Sequence, residues 1–131
     1  MKQSYSKSEK LKGEKLLDAL FTHGRSVTAY PLRLIFMPAN FPETVPVKTG
    51  VSVPKRQFKR AVDRTRIKRL IREAYRLNKT IIFNNITTQY AFMILYIGKE
   101  NPSFVEVETA LKTLFNKFLD HQSDQNNKDN D

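Results

Sequence analysis

The chain is expected to fold as an α+β protein, a two-layer sandwich with helices packed on a small mixed four-stranded sheet. Three observations lead there. Hydrophobic periodicity switches along the 131 residues in the order helix, three strands, helix, strand, helix. One of those strands, QYAFMILYI at 89–97, is a continuous apolar run, the pattern of an interior strand covered on both faces. A mass of 15.3 kDa suits one hydrophobic core and not two.

Residues 1–8 are polar and read as a flexible start. From Gly13 to His23, Leu16, Leu17, Leu20 and Phe21 form one helical stripe, and Gly24 suits a left-handed stop. Residues 25–30 and 32–38 are two short β-rich pieces divided by Pro31, which should mark an edge or bulge. ANFPETVP at 39–46 is a loop by its prolines and polar residues. In 47–53, Val47, Thr49, Val51 and Val53 alternate with Lys48, Gly50 and Ser52, which leaves one face small and bare. Such a face suits either solvent or the close approach of an extended ligand. After an ambiguous connection at 80–87 and the apolar strand, Ser103 and Glu106 form a capping box. Phe104, Val107, Leu111, Leu114, Phe115 and Phe118 then stripe the last helix. The polar tail from His121 is expected to be disordered, so residues 1–120 form the domain. A strand–helix–strand unit around the central helix suggests a parallel pair, for which a right-handed crossover is the general rule.

Charge is concentrated at 55–79, KRQFKRAVDRTRIKRLIREAYRLNK, which holds eleven Lys or Arg against Asp63 and Glu73. These residues carry +9 of the formal +10. On a helical wheel Ile67, Leu70, Ile71, Ala74 and Leu77 share an apolar arc. The opposite arc, centred on Thr65, holds Lys68, Arg69, Arg72 and Arg76, with Arg64 and Arg66 at its edges. Like charges at i,i+3 and i,i+4 cost a few tenths of a kcal/mol each, so a solvated face normally mixes in Glu. Arg also outnumbers Lys there, which suits bidentate phosphate contacts. The reading is nucleic-acid binding.

Catalytic groups are not assembled. Two histidines, His23 at a helix end and His121 in the tail, make neither a triad nor a metal site. Asp63 and Glu73 lie about 15 Å apart along a helix axis and cannot share Mg²⁺. There is no cysteine, and with four glycines no glycine-rich phosphate loop. No apolar run reaches the length of a membrane span, so a soluble, cytoplasmic protein without a membrane partner is expected. The absence of a short partner helix before the basic one speaks against a helix-turn-helix DNA reader. A ribosomal or RNA-chaperone type of protein is the alternative reading, and a stand-alone nuclease a weaker one.

The block VSVPKRQFKRAVDRTRIKRLIREAY at 51–75 resembles the signature of the bacterial ribonuclease P protein subunit family, in which R-N-R-x-K-R-x-x-R-E lies on a helix. LFTHG at 20–24 and the apolar strand at 90–97 extend the resemblance over about 11–119. It implies an αβββαβα order with a left-handed crossover, a protein that is monomeric alone, and a catalytic RNA partner that cleaves precursor tRNA with Mg²⁺. The protein itself is implied to hold no cofactor or metal and to supply no catalytic residue. By position, contact with the catalytic RNA is implied for Arg60, Arg64, Thr65, Arg66, Lys68, Arg69, Arg72 and Arg76. A cleft for the single-stranded 5′ leader is implied at Leu17, Phe21, Phe36, Ser52, Lys55 and Arg56. Thr65 departs from the pattern, which has Asn there; it keeps a hydroxyl but loses the second amide donor and its reach.

Overall fold

The computed structural model describes residues 9–129, with side chains as far as His121; the polar start at 1–8 lies outside the described residues. Helix α1 (Glu14–His23) leads into β1 (Arg25–Ala29), β2 (Leu32–Pro38) and β3 (Val47–Ser52). The basic helix α2 (Ala61–Asn78), a short α3 (Thr80–Phe83), strand β4 (Tyr90–Tyr96) and helix α4 (Phe104–Asp129) follow. The expected α+β order is present, with α3 filling the ambiguous connection. The four strands lie in the order β1-β2-β4-β3. β1 and β2 form an antiparallel hairpin whose turn contains a cis Tyr30–Pro31 peptide, β2 pairs with β4 antiparallel, and β3 pairs with β4 parallel. The expected parallel pair is thus β3 and β4. Being interior, β4 is apolar on both faces, and six of its seven residues are buried.

The two faces of the sheet have different covers. Leu32, Leu34, Phe36, Val47, Phe92 and Ile94 join Ile67 and Ile71 of α2 and Leu111, Phe115 and Phe118 of α4 in the main core. Phe118 is its aromatic centre, with ring centroids 4.9 Å from Phe36, 5.0 Å from Phe92 and 5.1 Å from Tyr90. Burying each such ring contributes about 1.5–3 kcal/mol. On the opposite face Ala91 and Met93 join Leu20 of α1, with Leu16, Leu17, Ile35, Met37, Phe41 and Leu95 packed around them. Both open sheet edges are covered. A backbone bridge from Lys10 to Thr49, with the Leu11 N–H donating to Thr49 O at 3.1 Å, closes β3, and Lys117 of α4 donates to Thr28 O on β1.

Several sequence expectations change. Gly24 is extended (φ −70°, ψ 157°), so it is not a left-handed stop. It is glycine because a Cβ there would lie 2.2 Å from Leu20 O and 2.8 Å from Ile35 Cγ2. The basic helix, by contrast, starts where its lead-in was read: Arg60 is the N-cap of α2, and residues 55–60 before it are not helical. The last helix runs on to Asp129, past the His121 at which a disordered tail was expected. His121 lies three residues after Phe118 and extends its apolar stripe, its ring centroid 5.5 Å from that of Phe36 and its Nε2 3.4 Å from Arg25 Nη1.

Tyr96 gives a pH-dependent signal. Its hydroxyl donates to Glu100 O at 2.5 Å. Burial first, then the nearby Tyr30, Glu106 and Glu100, push its pKa up to about 12. The neutral phenol is therefore favoured in the folded chain, and the stability it contributes is complete below about pH 10 and lost as pH rises through 12. In an alkaline titration followed by phenolate absorbance, one tyrosine is expected to ionise about two pH units later in the folded chain than in the unfolded chain, and this late step should be missing from Tyr96→Phe.

Candidate RNA interface

The sequence dictates where the cations of α2 can go. Its apolar stripe faces the core, with Ile67, Ile71, Ala74 and Tyr75 buried, so the opposite residues must face outward. They then divide into two sets. Arg64 and Arg66, read from the wheel as the flanks of the cationic face, are tied into the fold: Arg64 Nη1 donates to Phe58 O at 2.6 Å and Lys59 O at 2.9 Å, and Arg66 Nη2 to Pro102 O at 3.0 Å. Arg60 holds Asp63 through Nε at 2.9 Å and Nη2 at 3.3 Å. Arg76 holds Glu73 at 2.5 and 3.0 Å; that bond keeps the Glu73 carboxyl below, and the Arg76 guanidinium above, their ordinary pKa values. Both acids of the stretch are thus engaged with arginines at the two ends of the helix.

The second set is free. The side chains of Lys68, Arg69 and Arg72 on α2, and of Lys55, Arg56 and Lys59 in the turns before it, make no hydrogen bond or ion pair among the described residues. All but Lys68, which is half-buried, are exposed. Thr65 is exposed among them, its hydroxyl also without a partner. Six uncompensated cations within two adjoining segments make a concentrated positive field.

Beside them lies a cleft of about 380 Å³ lined by Lys10, Leu11, Leu17, Thr49, Gly50, Val51, Arg72 and Met93. α1, β3 and α2 each supply a wall. Gly50 keeps its floor low: a Cβ there would stand 2.8 Å from Met93 Cε and 3.4 Å from Leu11 Cδ2. Phe21, one turn on from Leu17 along the same stripe of α1, is 55% exposed although it is a large apolar ring. Ser52 shares the face of Gly50 at the end of β3, and Lys55 and Arg56 follow it. Among the expected cleft residues Phe36 is the exception. It is 2% exposed on the other face of the sheet, with Phe118, because β2 alternates and Ile35 takes the cleft side.

Lys10, Leu11 and Met93 were missed from sequence. Lys10 and Leu11 reach the cleft through a single backbone bridge, which leaves no periodic signal, and Met93 sits in a strand whose two faces are equally apolar. The segment that carries Lys10 and Leu11 is pinned by a buried ion pair, with Lys79 Nζ 2.9 Å from both carboxylate oxygens of Glu9.

Fold and site together define a class: a small α+β sandwich with a cationic helix face beside a bare cleft, a surface shaped to meet a polyanion. Comparison with known proteins narrows this. The chain belongs to the ribonuclease P protein family, whose model, Ribonuclease P, matches residues 5–119. The ribonuclease P protein component of Porphyromonas gingivalis is 38% identical over 112 residues, covering 82% of this chain and 80% of that protein. That of Chlorobium phaeobacteroides is 36% identical over 116 residues, covering 77% and 78%. Among solved structures, the RNase P protein of Thermotoga maritima superimposes with a TM-score of 0.68 at 21% identity, covering 83% of this chain and 96% of that one. The Staphylococcus aureus RNase P protein gives 0.66 at 21% identity, covering 84% and 94%. These two similarities are of fold.

Proposed function

We propose that this chain acts as the protein subunit of ribonuclease P, binding the catalytic RNA and the 5′ leader of precursor tRNA to assist 5′-end maturation. The observation that carries this reading is the set of six unpaired cations on α2 and its lead-in, placed beside a cleft with a glycine floor. Lys68, Arg69 and Arg72 dock on phosphates of the structured RNA, while Arg64 and Arg66 hold the 58–59 turn and the Pro102 carbonyl so that this face keeps its shape. Lys55 and Arg56 draw the single-stranded leader along β3, where Gly50 and Ser52 let backbone and bases approach, and Phe21 offers a ring for stacking.

Metal chemistry is carried by the RNA in this reading. Among the described residues no three His, Asp or Glu converge, and Asp63 and Glu73 hold arginines. Mg²⁺, where the RNA holds it, would supply the activated water, with no ligand from this chain. The protein's part is to orient the leader, acting as a monomer in the cytoplasm. The test is to mix purified protein with a bacterial ribonuclease P RNA and precursor tRNA at low Mg²⁺. Faster release of the mature 5′ end is expected, and no stimulation would overturn the proposal. Cleavage by the protein in the absence of the RNA would overturn its non-catalytic part.

A further inference from the structure

Among the described residues, Glu9 and Lys79 are the only charged residues less than a tenth exposed, at 7% and 5%. Lys79 is the C-cap of α2 and leads into α3, and its Nζ also stands 5.5 Å from the centre of the Phe83 ring. The same end of α2 is tied to α4, because Asn78 Nδ2 donates to Ala74 O at 2.8 Å and to Glu108 Oε2 at 3.0 Å. Lys79 is therefore a fixed post. Glu9 begins a strap that runs along the edge of β3, where Lys10 bridges to Thr49 and the Leu11 N–H donates to Thr49 O. At the far end of the strap Gly13, with φ 98°, turns the chain into α1 in a left-handed conformation that favours glycine. A Cβ on Gly13 would meet nothing within 4 Å, so the residue is free to act as a hinge.

The ion pair sets the distance between two walls of the cleft. Arg72 and Lys79 lie on one face of the helix, about two turns apart, while Glu9 adjoins Lys10 and Leu11. Lys10, Leu11 and Arg72 all line the cleft, and no acidic side chain lines it with them. The two cations repel each other across that space, which favours an outward swing of the strap on Gly13. The Glu9–Lys79 pair opposes the swing by fastening the residue before Lys10 to the helix that carries Arg72. Burying two charges is costly, and a buried pair adds little cohesion for that cost. What this one does is fix a geometry.

We propose that Glu9 and Lys79 are positioning residues, a clamp that holds the 9–11 strap against β3 and α2 and so sets the width of the cleft between Lys10 and Arg72. Neither residue touches the RNA. The role rests on the leader reading above and goes beyond it: release of the clamp changes the shape of the cleft and leaves the outward cations of α2 where they are.

Glu9→Gln keeps the size of the side chain and removes its charge. With the strap swung out on Gly13, Lys79 reaches water, so the core is expected to survive. Hydrogen exchange of the free protein reads the clamp: the Leu11 amide should exchange at least about tenfold faster, with the Phe92 and Leu111 amides unchanged. In the reconstituted holoenzyme, KM for leader-bearing precursor tRNA should rise about fivefold, with kcat and the affinity for the catalytic RNA as in the native chain. Exchanging the charges, Glu9→Lys with Lys79→Glu, should bring both readouts back toward the native values. Native Leu11 exchange or a native KM in Glu9→Gln would overturn the proposal, as would an exchange of charges that restores neither. Equal acceleration at Leu11, Phe92 and Leu111, or a Glu9→Gln chain that does not fold, would also overturn it by making the pair a general support of the core. If the native holoenzyme treats precursor tRNA with and without a leader alike, the leader reading fails and the positioning role with it, while Leu11 exchange still reports whether the clamp exists.

Discussion

Replacing Arg69 and Arg72 together by glutamine is expected to weaken binding of the catalytic RNA by about 100-fold or more. Each loses a charge-assisted contact worth about 1.5–3 kcal/mol, with no internal bond lost in exchange. For the native chain, six cations on phosphates correspond to a slope of log K against log[salt] of about −4 to −5, and the double variant should be shallower by about 1.4–1.8. The thermal midpoint should stay in place, since both side chains are exposed. A filter-binding series across salt concentrations reads both quantities. An unchanged slope would remove the outer face of α2 from the interface. Arg66→Gln is the instructive contrast: its guanidinium is bonded to Pro102 O, so its loss should appear more in stability and less in the slope.

That contrast marks the limit of what the sequence could say. The charge run and the wheel place Arg64, Arg66, Arg69 and Arg72 on one side of α2 and make the opposite side core, which holds for Ile67, Ile71 and Ala74 but not for Leu77, exposed at the last turn. They give no sign of which guanidinium finds an internal acceptor. Arg64 and Arg66 are captured because the 55–60 turns and the start of α4 bring the carbonyls of Phe58, Lys59 and Pro102 to the helix, contacts as distant as 36 residues in the chain. The strands fared better. β2 was placed at its observed bounds, and the burial of Val47, Thr49 and Val53 follows from alternation alone. The β4 run announced an interior strand by being apolar on both faces, yet for the same reason it concealed that Met93 and Leu95 turn toward the cleft while Phe92 and Ile94 turn toward α4. Gly24 shows a different gap: its position as a helix stop was readable, but its cause, the closeness of Leu20 O and Ile35, is tertiary.

Phe36 and Phe21 give the sharpest separation of fold from function, because the same resemblance put both in the cleft. Phe36→Ala is expected to lower stability by about 3–5 kcal/mol, the cost of a cavity beneath a fully packed aromatic. Its ring is 2% exposed and meets Phe118 edge-on at 4.9 Å, and His121 leans on it from the end of the described side chains, so little nearby can collapse into the space. Phe21→Ala should cost under about 0.5 kcal/mol, since more than half of that ring already faces water. For binding the order reverses. Under conditions where both variants are folded, Phe21→Ala is expected to lose roughly tenfold in affinity for leader-bearing precursor tRNA, the scale of one base–aromatic stack. Phe36→Ala should bind as the native chain does. Urea unfolding and leader-length binding measured on the same two variants separate the effects. A selective leader defect in Phe36→Ala, with stability intact, would return Phe36 to the cleft and require β2 to present its other face, which its register with β4 forbids.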